Sequence, residues 1–343
     1  MKLNYLLFLL VILFSSTAQS QSFDTPLAYL QFISEEQETI TKSMWNYTKA
    51  VAHSRNEKNV ERKRSSVIQS IERVKKKVSN ATAFENDPYK QNVLENLELN
   101  ENIMKMDYAK IIDMKAVSQQ SYDSMESYIL AQQMADKKMA EAQQEYEDQF
   151  IDYAKRHNIE ITENETELGK KMQISNKVFK YYNAMYLPFF KANITESYIF
   201  EALDANDISS LQQHAISLGA IVNEERELIK NIPLYKDDTS LLDATNAAFD
   251  FYQMEAEVKI PELIDFLLLQ EEVQNISQII EKTPKRKRTK EQIDGYNEKV
   301  NELNKKVAEF NRMNTQLNKE RTKVLNGLNN ANDQFLARHI PKE

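Results

Sequence analysis

The sequence feature that most constrains the fold is an unbroken heptad pattern between Ile293 and Phe335. Apolar residues recur there at alternating steps of three and four, as in a helix that packs lengthwise against a partner. The seam consists of Ile293, Tyr296, Val300, Leu303, Val307, Phe310, Asn314, Leu317, Arg321, Val324, Leu328, Ala331 and Phe335. Only Asn314 and Arg321 are polar. The pattern predicts one helix roughly 64 Å long, at ~1.5 Å per residue.

The composition is that of an all-α protein, and it excludes several functional classes. The chain has only 4 glycines in 343 residues, too few for the phosphate-binding loops that need glycine's backbone freedom. It has no cysteine, which rules out disulfides, thiolate nucleophiles and cysteine-bound metals. Its formal net charge of -8 disfavours binding to nucleic acid, because an acidic surface repels phosphate.

The N-terminus has the pattern of a secretory signal peptide over residues 1–20. Lys2 is followed by a short apolar core, Leu6 to Phe14, and by small residues before a predicted cleavage between Ser20 and Gln21. This core is too short to cross a hydrocarbon layer of about 30 Å. We expect a protein exported to the periplasm, the cell surface or the medium, with no transmembrane span after cleavage and no lipid anchor.

The rest of the chain shows signs of an internal repeat. Residues 75–98 align with residues 226–248 at an offset of 151, which places Phe84 on Tyr235. The tripeptide Asp-Gln-Phe occurs at 148–150 and again at 333–335, an offset of 185. Convergent helical composition could produce the same similarity. We predict two tandem up-down four-helix bundles, residues 21–160 and 161–343, the second with an extended antiparallel hairpin over 239–337.

Two local patterns in the second half lead to specific expectations. Aromatic residues are dense between Phe179 and Phe190, and we interpret this stripe as core, with an exposed docking patch as the alternative. Pro188 lies within the stripe and Pro261 within a later helical pattern, and each is expected to kink or end its helix.

The first half resembles a family of bacterial helical surface proteins that was first named from a leptospiral protein and is common in Bacteroidota. The resemblance covers roughly residues 23–163. It rests on Trp45-Asn-Tyr47 with Ala52-His53, Glu61-Arg-Lys-Arg64, Phe84, Asp107-Tyr108-Ala109, the segment Ser121–Tyr128, and Ala154-Lys-Arg-His157. It implies export and a place in the cell envelope or at the surface, and it carries over no catalytic residue.

Enzymatic chemistry has little support in the sequence. Di-iron bundles need Glu-x-x-His on two helices, and no such motif is present. The most suggestive polar set is His53 with Asp123 and Glu126, since the two carboxylates share a helix face at i, i+3. These residues could form an acid–base, ligand or metal cluster. The alternative is a buried histidine that hydrogen-bonds a carboxylate and fixes helix register.

A basic string, Lys285, Arg286, Lys287 and Arg288, follows Pro284. We interpret it as a solvated hairpin tip, with contact to an anionic lipid or polysaccharide as the alternative.

Together these features predict an exported, non-enzymatic helical protein without a cofactor, which acts through contacts with an unknown envelope protein. A small-ligand or metal-binding protein using His53, Asp123 and Glu126 is the alternative. A third possibility is a homo-oligomeric coiled-coil scaffold whose register is set by Asn314 and Arg321.

Overall fold

The computed structural model describes residues 21–54, 56–161 and 166–340, and the part it describes is all-α. Ten α-helices account for most of these residues, and no β-strand occurs among them, which confirms the predicted fold class. The predicted signal peptide lies outside the described residues. Gln21, on the far side of the predicted cleavage, is the first residue described.

Five helices form the first half of the chain. They are α1 (Pro26–His53), α2 (Glu57–Asn80), α3 (Tyr89–Asn102), α4 (Tyr108–Ser118) and α5 (Tyr122–Arg156). A five-residue π-helical segment, Ile103–Asp107, joins α3 to α4. Side chains cap the helices where the chain turns: Thr25 accepts from the amide of Ala28, and Ser121 accepts from that of Ser124.

The second half follows the same order with longer elements. It contains α6 (Glu167–Asp204), α7 (Ile208–Lys230), α8 (Ser240–Met254), α9 (Ile260–Lys282) and α10 (Lys290–His339). A second π-helical segment, Glu255–Lys259, joins α8 to α9. A capping box at Thr289 and Gln292 starts α10, which spans 50 residues and contains the predicted heptad seam.

The buried apolar residues form two main clusters, one in each half. The first contains residues between Tyr29 and Ala154, and the second contains residues from Val178 to Ile340 together with Trp45. Trp45 lies on the opposite side of α1 from Tyr47, which packs edge-on against Tyr108 in the first core. Helix α1 therefore contributes side chains to both cores and joins the two halves.

The same set of contacts closes each half. In the first, Asp87 accepts from Arg156 Nη2 at 2.7 Å and from the amide of Tyr89 at 2.8 Å, and it lies 3.0 Å from His157 Nε2. The ring of His157 meets Phe84 edge-on, with centroids 5.4 Å apart. We call these contacts of Asp87, Arg156 and His157 the first clamp.

The second clamp consists of Asp238, Arg338 and His339. Asp238 accepts from Arg338 and from the amide of Ser240 at 2.9 Å, and it lies 2.7 Å from His339 Nε2. The ring of His339 meets Tyr235 edge-on at 5.0 Å. Each clamp therefore fastens the last helix of its half to the turn between the second and third helices.

The two turns held by the clamps have matching backbones. Glu85 and Asn86 have positive φ values of 47° and 59°, and Lys236 and Asp237 have 50° and 59°. Left-handed conformations are unfavourable for residues other than glycine, so this arrangement needs support from neighbouring contacts. The hydrogen bonds of Asp87 and Asp238 supply that support.

The clamps also correct the alignment of the two last helices. Arg156-His157 corresponds to Arg338-His339 at an offset of 182, and Tyr153 corresponds to Phe335, since each contacts the histidine that follows it. The predicted offset of 185, which paired Phe150 with Phe335, is therefore three residues too large. The short Asp-Gln-Phe match is a coincidence of helical composition.

Pro188 was expected to kink or end its helix, and it does not end it. Helix α6 continues through it to Asp204, and Pro188, Phe189 and Phe190 are all buried. Tertiary packing of this aromatic segment outweighs the loss of one backbone hydrogen bond. The stripe between Phe179 and Phe190 is core, because its remaining aromatic rings are also packed against buried residues. Pro261 lies in the first turn of α9, directly after the π-helical segment.

The longer second half produces a hairpin that extends past its own core. The core includes residues of α9 only as far as Leu267 and residues of α10 only from Phe310 onward. The rings of Phe266 and Phe310 stack at 4.7 Å at this boundary. Residues 268–309, which we call the distal hairpin, lie beyond it and extend about 30 Å, given 1.5 Å per helical residue.

The clamps generate a prediction about stability. Despite burial, hydrogen bonds from Ser240, His339 and Arg338 hold the pKa of Asp238 well below its ordinary value. We expect Asp238→Asn to lower the free energy of unfolding at pH 7 by about 2 kcal/mol, measured by urea denaturation, because charge-assisted hydrogen bonds are lost. The difference should shrink progressively as the pH falls below about 4, because the wild-type carboxyl group then takes up a proton on unfolding.

Asp250→Asn is the matched control, because Asp250 pairs with Arg226 on the surface with 72% of its side chain exposed. Such a pair is worth at most about 1 kcal/mol. Equal effects of the two substitutions at pH 7 would contradict a stabilising role for the clamp.

Candidate functional site

Three charged side chains meet inside the second half, in a core that is mostly apolar. Glu196 comes from α6, Glu255 is the first residue of the second π-helical segment, and Arg321 comes from α10. Glu255 is fully buried and Glu196 is 4% exposed. We call these residues the charged triad. Buried charges are costly to desolvate, so their presence in a core needs a structural or functional reason.

Arg321 lies between the two carboxylates. Its Nε donates to Glu196 Oε1 at 2.6 Å, and its Nη2 donates to Glu255 Oε1. The guanidinium also packs over the rings of Phe200 and Phe251, at 4.7 and 5.5 Å from their centroids. These aromatic faces favour a cation and shield it from water.

The triad does not carry two full negative charges. Burial, together with the nearby charge of Glu196, raises the pKa of Glu255 to about 8. Burial opposes the charge of Arg321, but the two carboxylates raise the pKa of this group further and keep it protonated. At neutral pH the raised pKa of Glu255 therefore favours the neutral form of this carboxyl group beside the Arg321 cation. This also fits the lack of a hydrogen-bond partner at Glu255 Oε2, which is less costly for a neutral group.

The first half has apolar side chains at the corresponding positions. Tyr29 and Tyr181 occupy equivalent places beside the two clamps, since Tyr29 packs against Tyr153 and Tyr181 packs against Phe335. Their numbers differ by 152, so the first helices, α1 and α6, align at this offset. The offset of 152 pairs Glu196 with Met44. The π-helical segments begin at Ile103 and Glu255. The offset of 182 for the last helices pairs Arg321 with Met139. Met44, Ile103 and Met139 all belong to the first core. At the positions that these offsets pair, the first core has apolar side chains and the second core has the charged triad.

The arrangement has two chemical capacities. It fixes the relative positions of α6, the π-helical segment and α10, because only one register brings Arg321 opposite both carboxylates. It can also hold and release one proton near pH 8.

Sequence reasoning identified only one member of the triad. Arg321 was visible because it interrupts the apolar seam, and the expected role was to set register between two copies of the chain. The structure places its partners within the same chain instead. Glu196 and Glu255 were missed because they lie among many surface glutamates, and only the alignment with Met44 and Ile103 distinguishes them.

The structure does not bring His53 to the predicted carboxylates. His53 Nε2 lies 3.0 Å from the carbonyl oxygen of Ile340, since the end of α1 packs against α6 and α10. Asp123 and Glu126 are exposed at the start of α5, and the hydroxyl of Tyr122 donates to Glu126 at 3.2 Å. Among the described residues, no group of three histidine or carboxylate side chains is placed to hold a metal ion.

The basic string lies where the sequence predicted it. Lys285–Lys287 form one 3-10 turn between α9 and α10, and all three side chains are exposed. Arg288 is partly covered, because its Nε donates to the carbonyl oxygen of Thr283 at 2.9 Å. The string is therefore the end of the distal hairpin.

The chain was compared with protein-family models, with curated proteins and with solved structures, and none of the three comparisons gives a match. The resemblance to the bacterial surface-protein family stays a prediction. None of the described helices contains a stretch long and apolar enough to cross a membrane.

The charged triad yields a prediction with a control from the first half. Arg321→Met removes the cation and leaves two buried carboxyl groups, so we expect the free energy of unfolding at pH 7 to fall by about 3–5 kcal/mol. The triple variant Glu196→Met, Glu255→Ile and Arg321→Met carries the residues of the first core. It should be as stable as the wild type or more stable by about 1–4 kcal/mol.

Denaturant unfolding followed by circular dichroism measures both variants. A triple variant as unstable as Arg321→Met would show that the charges themselves hold the fold together, and would contradict this interpretation.

Proposed function

We propose that this chain is an exported, non-enzymatic helical protein of the cell envelope or cell surface, and that it acts by contacting another protein through the distal hairpin. The leader pattern supports export. The observation that carries the proposal of contact is the hairpin itself, which extends past the core while the rest of the chain folds back on itself.

The surface of the distal hairpin favours contact with a partner. No residue from 274 to 316 is buried in the described structure, so two long helical faces remain open to solvent. Leu268 is 48% exposed, Ile279 60% and Val307 38%. A polar surface with a few exposed apolar side chains is typical of proteins that bind a partner reversibly.

The alternative docking surface considered from sequence is occupied within the chain. The aromatic stripe of α6 packs between the two halves, where Phe190 meets Met125 and Ile129 of α5. The C-terminal part of the heptad seam of α10 faces its own chain, since Leu317, Leu328 and Phe335 are buried in the second core. Because these two surfaces pack within the chain, the distal hairpin is the element that we assign to contact with a partner protein.

We also propose that the chain is a tandem duplication of a four-helix unit. The proposal is supported by the two clamps, the two π-helical segments at an offset of 152, and the two turns with paired positive φ values. After the π-helical segment the second unit is longer by 30 residues, the difference between the offsets of 152 and 182, and the added residues lie in α9, α10 and their connection. In this account a structural unit was copied, and one copy gained the distal hairpin.

Site-specific photo-crosslinking in the native cell tests the proposed contact. A photoreactive amino acid at Leu268 or Val307 should cross-link to one dominant protein in the envelope fraction, identified by mass spectrometry. Ile216 and Leu130 are the matched control positions, because they are 67% and 53% exposed but lie on α7 and α5. They should give no such product.

Three results would count against the proposal. Equal products from hairpin and control positions would remove the hairpin as the contact element. A product with the mass of two copies of the chain would instead support a homo-oligomer. Recovery of the chain in the cytosolic fraction would contradict export.

A further inference from the structure

We propose that the tip of the distal hairpin binds an anionic lipid surface. This inference goes beyond the protein contact described above, because it assigns the end of the hairpin to a different class of partner. It rests on the charge, the exposure and the position of residues 281–294.

The tip concentrates positive charge on an acidic protein. Residues 281–294 contain three carboxylates, Glu281, Glu291 and Asp294. They contain six cations: Lys282, Lys285, Arg286, Lys287, Arg288 and Lys290. The whole chain carries a formal net charge of -8, so the remainder is strongly acidic. An anionic surface therefore attracts the tip and repels the rest of the molecule, which orients the hairpin end-on.

The tip cations are free to bind an external anion. In the described structure none of the six forms an ion pair with a carboxylate of this chain. Farther along α10 the pattern differs, since Lys299 pairs with Glu272 at 3.1 Å and with Glu302 at 3.6 Å. The charge of the tip is thus unneutralised where the hairpin ends.

The shape of the tip fits a flat surface. A single 3-10 turn presents Lys285, Arg286 and Lys287 at the end of an arm about 30 Å beyond the core, so a bilayer can approach without meeting the helical bundles. Long lysine and arginine side chains reach headgroup phosphates while their methylene stems enter the apolar boundary.

Exposed apolar side chains favour a lipid over a soluble polyanion. Ile279 is 60% exposed within the last two turns of α9, and Pro284 is exposed in the connection itself. A bilayer offers these side chains an apolar layer beneath the headgroups, as it does for interfacial helices. A polysaccharide offers no such layer.

Vesicle sedimentation with the purified chain of residues 21–343 tests the proposal without any protein partner. The chain should sediment with vesicles of equal parts phosphatidylcholine and phosphatidylglycerol and should stay in solution with phosphatidylcholine alone. Binding should weaken sharply in about 1 M salt, where the screening length is near 3 Å.

A charge-matched pair of variants locates the binding site. Replacing Lys285, Arg286, Lys287 and Arg288 by glutamine should reduce binding by more than about 100-fold, since each cation contributes near the membrane surface. The control replaces the exposed cations Lys58, Arg62, Arg73 and Lys76 of α2 by glutamine, which changes the net charge equally. It should bind as the wild type does. Equal loss in both variants, or none in either, would overturn the proposal.

A second measurement distinguishes a membrane from a soluble polyanion. Because the chain has no cysteine, Ile279→Cys accepts a single environment-sensitive fluorophore. Its emission should shift to the blue with anionic vesicles and stay unchanged with dextran sulfate. The same label at Ile216→Cys on α7 should respond to neither. Binding to dextran sulfate with no vesicle binding would overturn the lipid assignment.

Discussion

The contact that fixes the register of the helices in the second half is the one between Arg321 and the carboxyl groups of Glu196 and Glu255. It joins α10 to α6 and to the π-helical segment in the middle of a core. Burying charges rarely adds stability compared with apolar residues, and the first core contains only apolar side chains, Met44, Ile103 and Met139, at the positions paired with the triad. The triad therefore adds specificity, because it selects one register for a helix whose repeating apolar seam could slide by a heptad.

That selection matters most for α10 because the helix continues far beyond its core. Arg321 lies 17 residues before Arg338 of the second clamp, about 25 Å along the axis. Polar contacts thus hold α10 at two distant points, Arg321 and Arg338. The apolar residues of the heptad seam pack between these two points and also before Arg321. An arm fixed in this way presents its tip at a defined distance and direction from the bundles. A hairpin that projects from the core to make a contact must be rigid. The shorter hairpin of α4 and α5 in the first half has no such requirement.

The sequence predicted whatever repeats over many residues, namely the all-α class, the long helix and the exposed basic tip. Features that depend on single tertiary contacts were not predictable. Pro188 was expected to kink or end α6, but the helix continues through it, where Pro188 is buried with Phe189 and Phe190. Met106 is 70% exposed in the first π-helical segment, where the helical period changes and a regular apolar spacing no longer indicates burial. Glu196 and Glu255 carried no local signal, since their role exists only opposite Arg321.

Direct titration of Glu255 tests the account of the triad. Because burial raises its pKa from 4.5 to about 8, this carboxyl group contributes most to stability below pH 4.5, and that contribution is lost as the pH rises towards 8. Carbon-13 NMR of the side-chain carboxyl groups, with Glu255→Gln to assign the signal, measures the protonation state in the folded protein. The account predicts a group that is still protonated at pH 7 and titrates near pH 8. A Glu255 signal that titrates between pH 4 and 5, like an exposed glutamate, would contradict it.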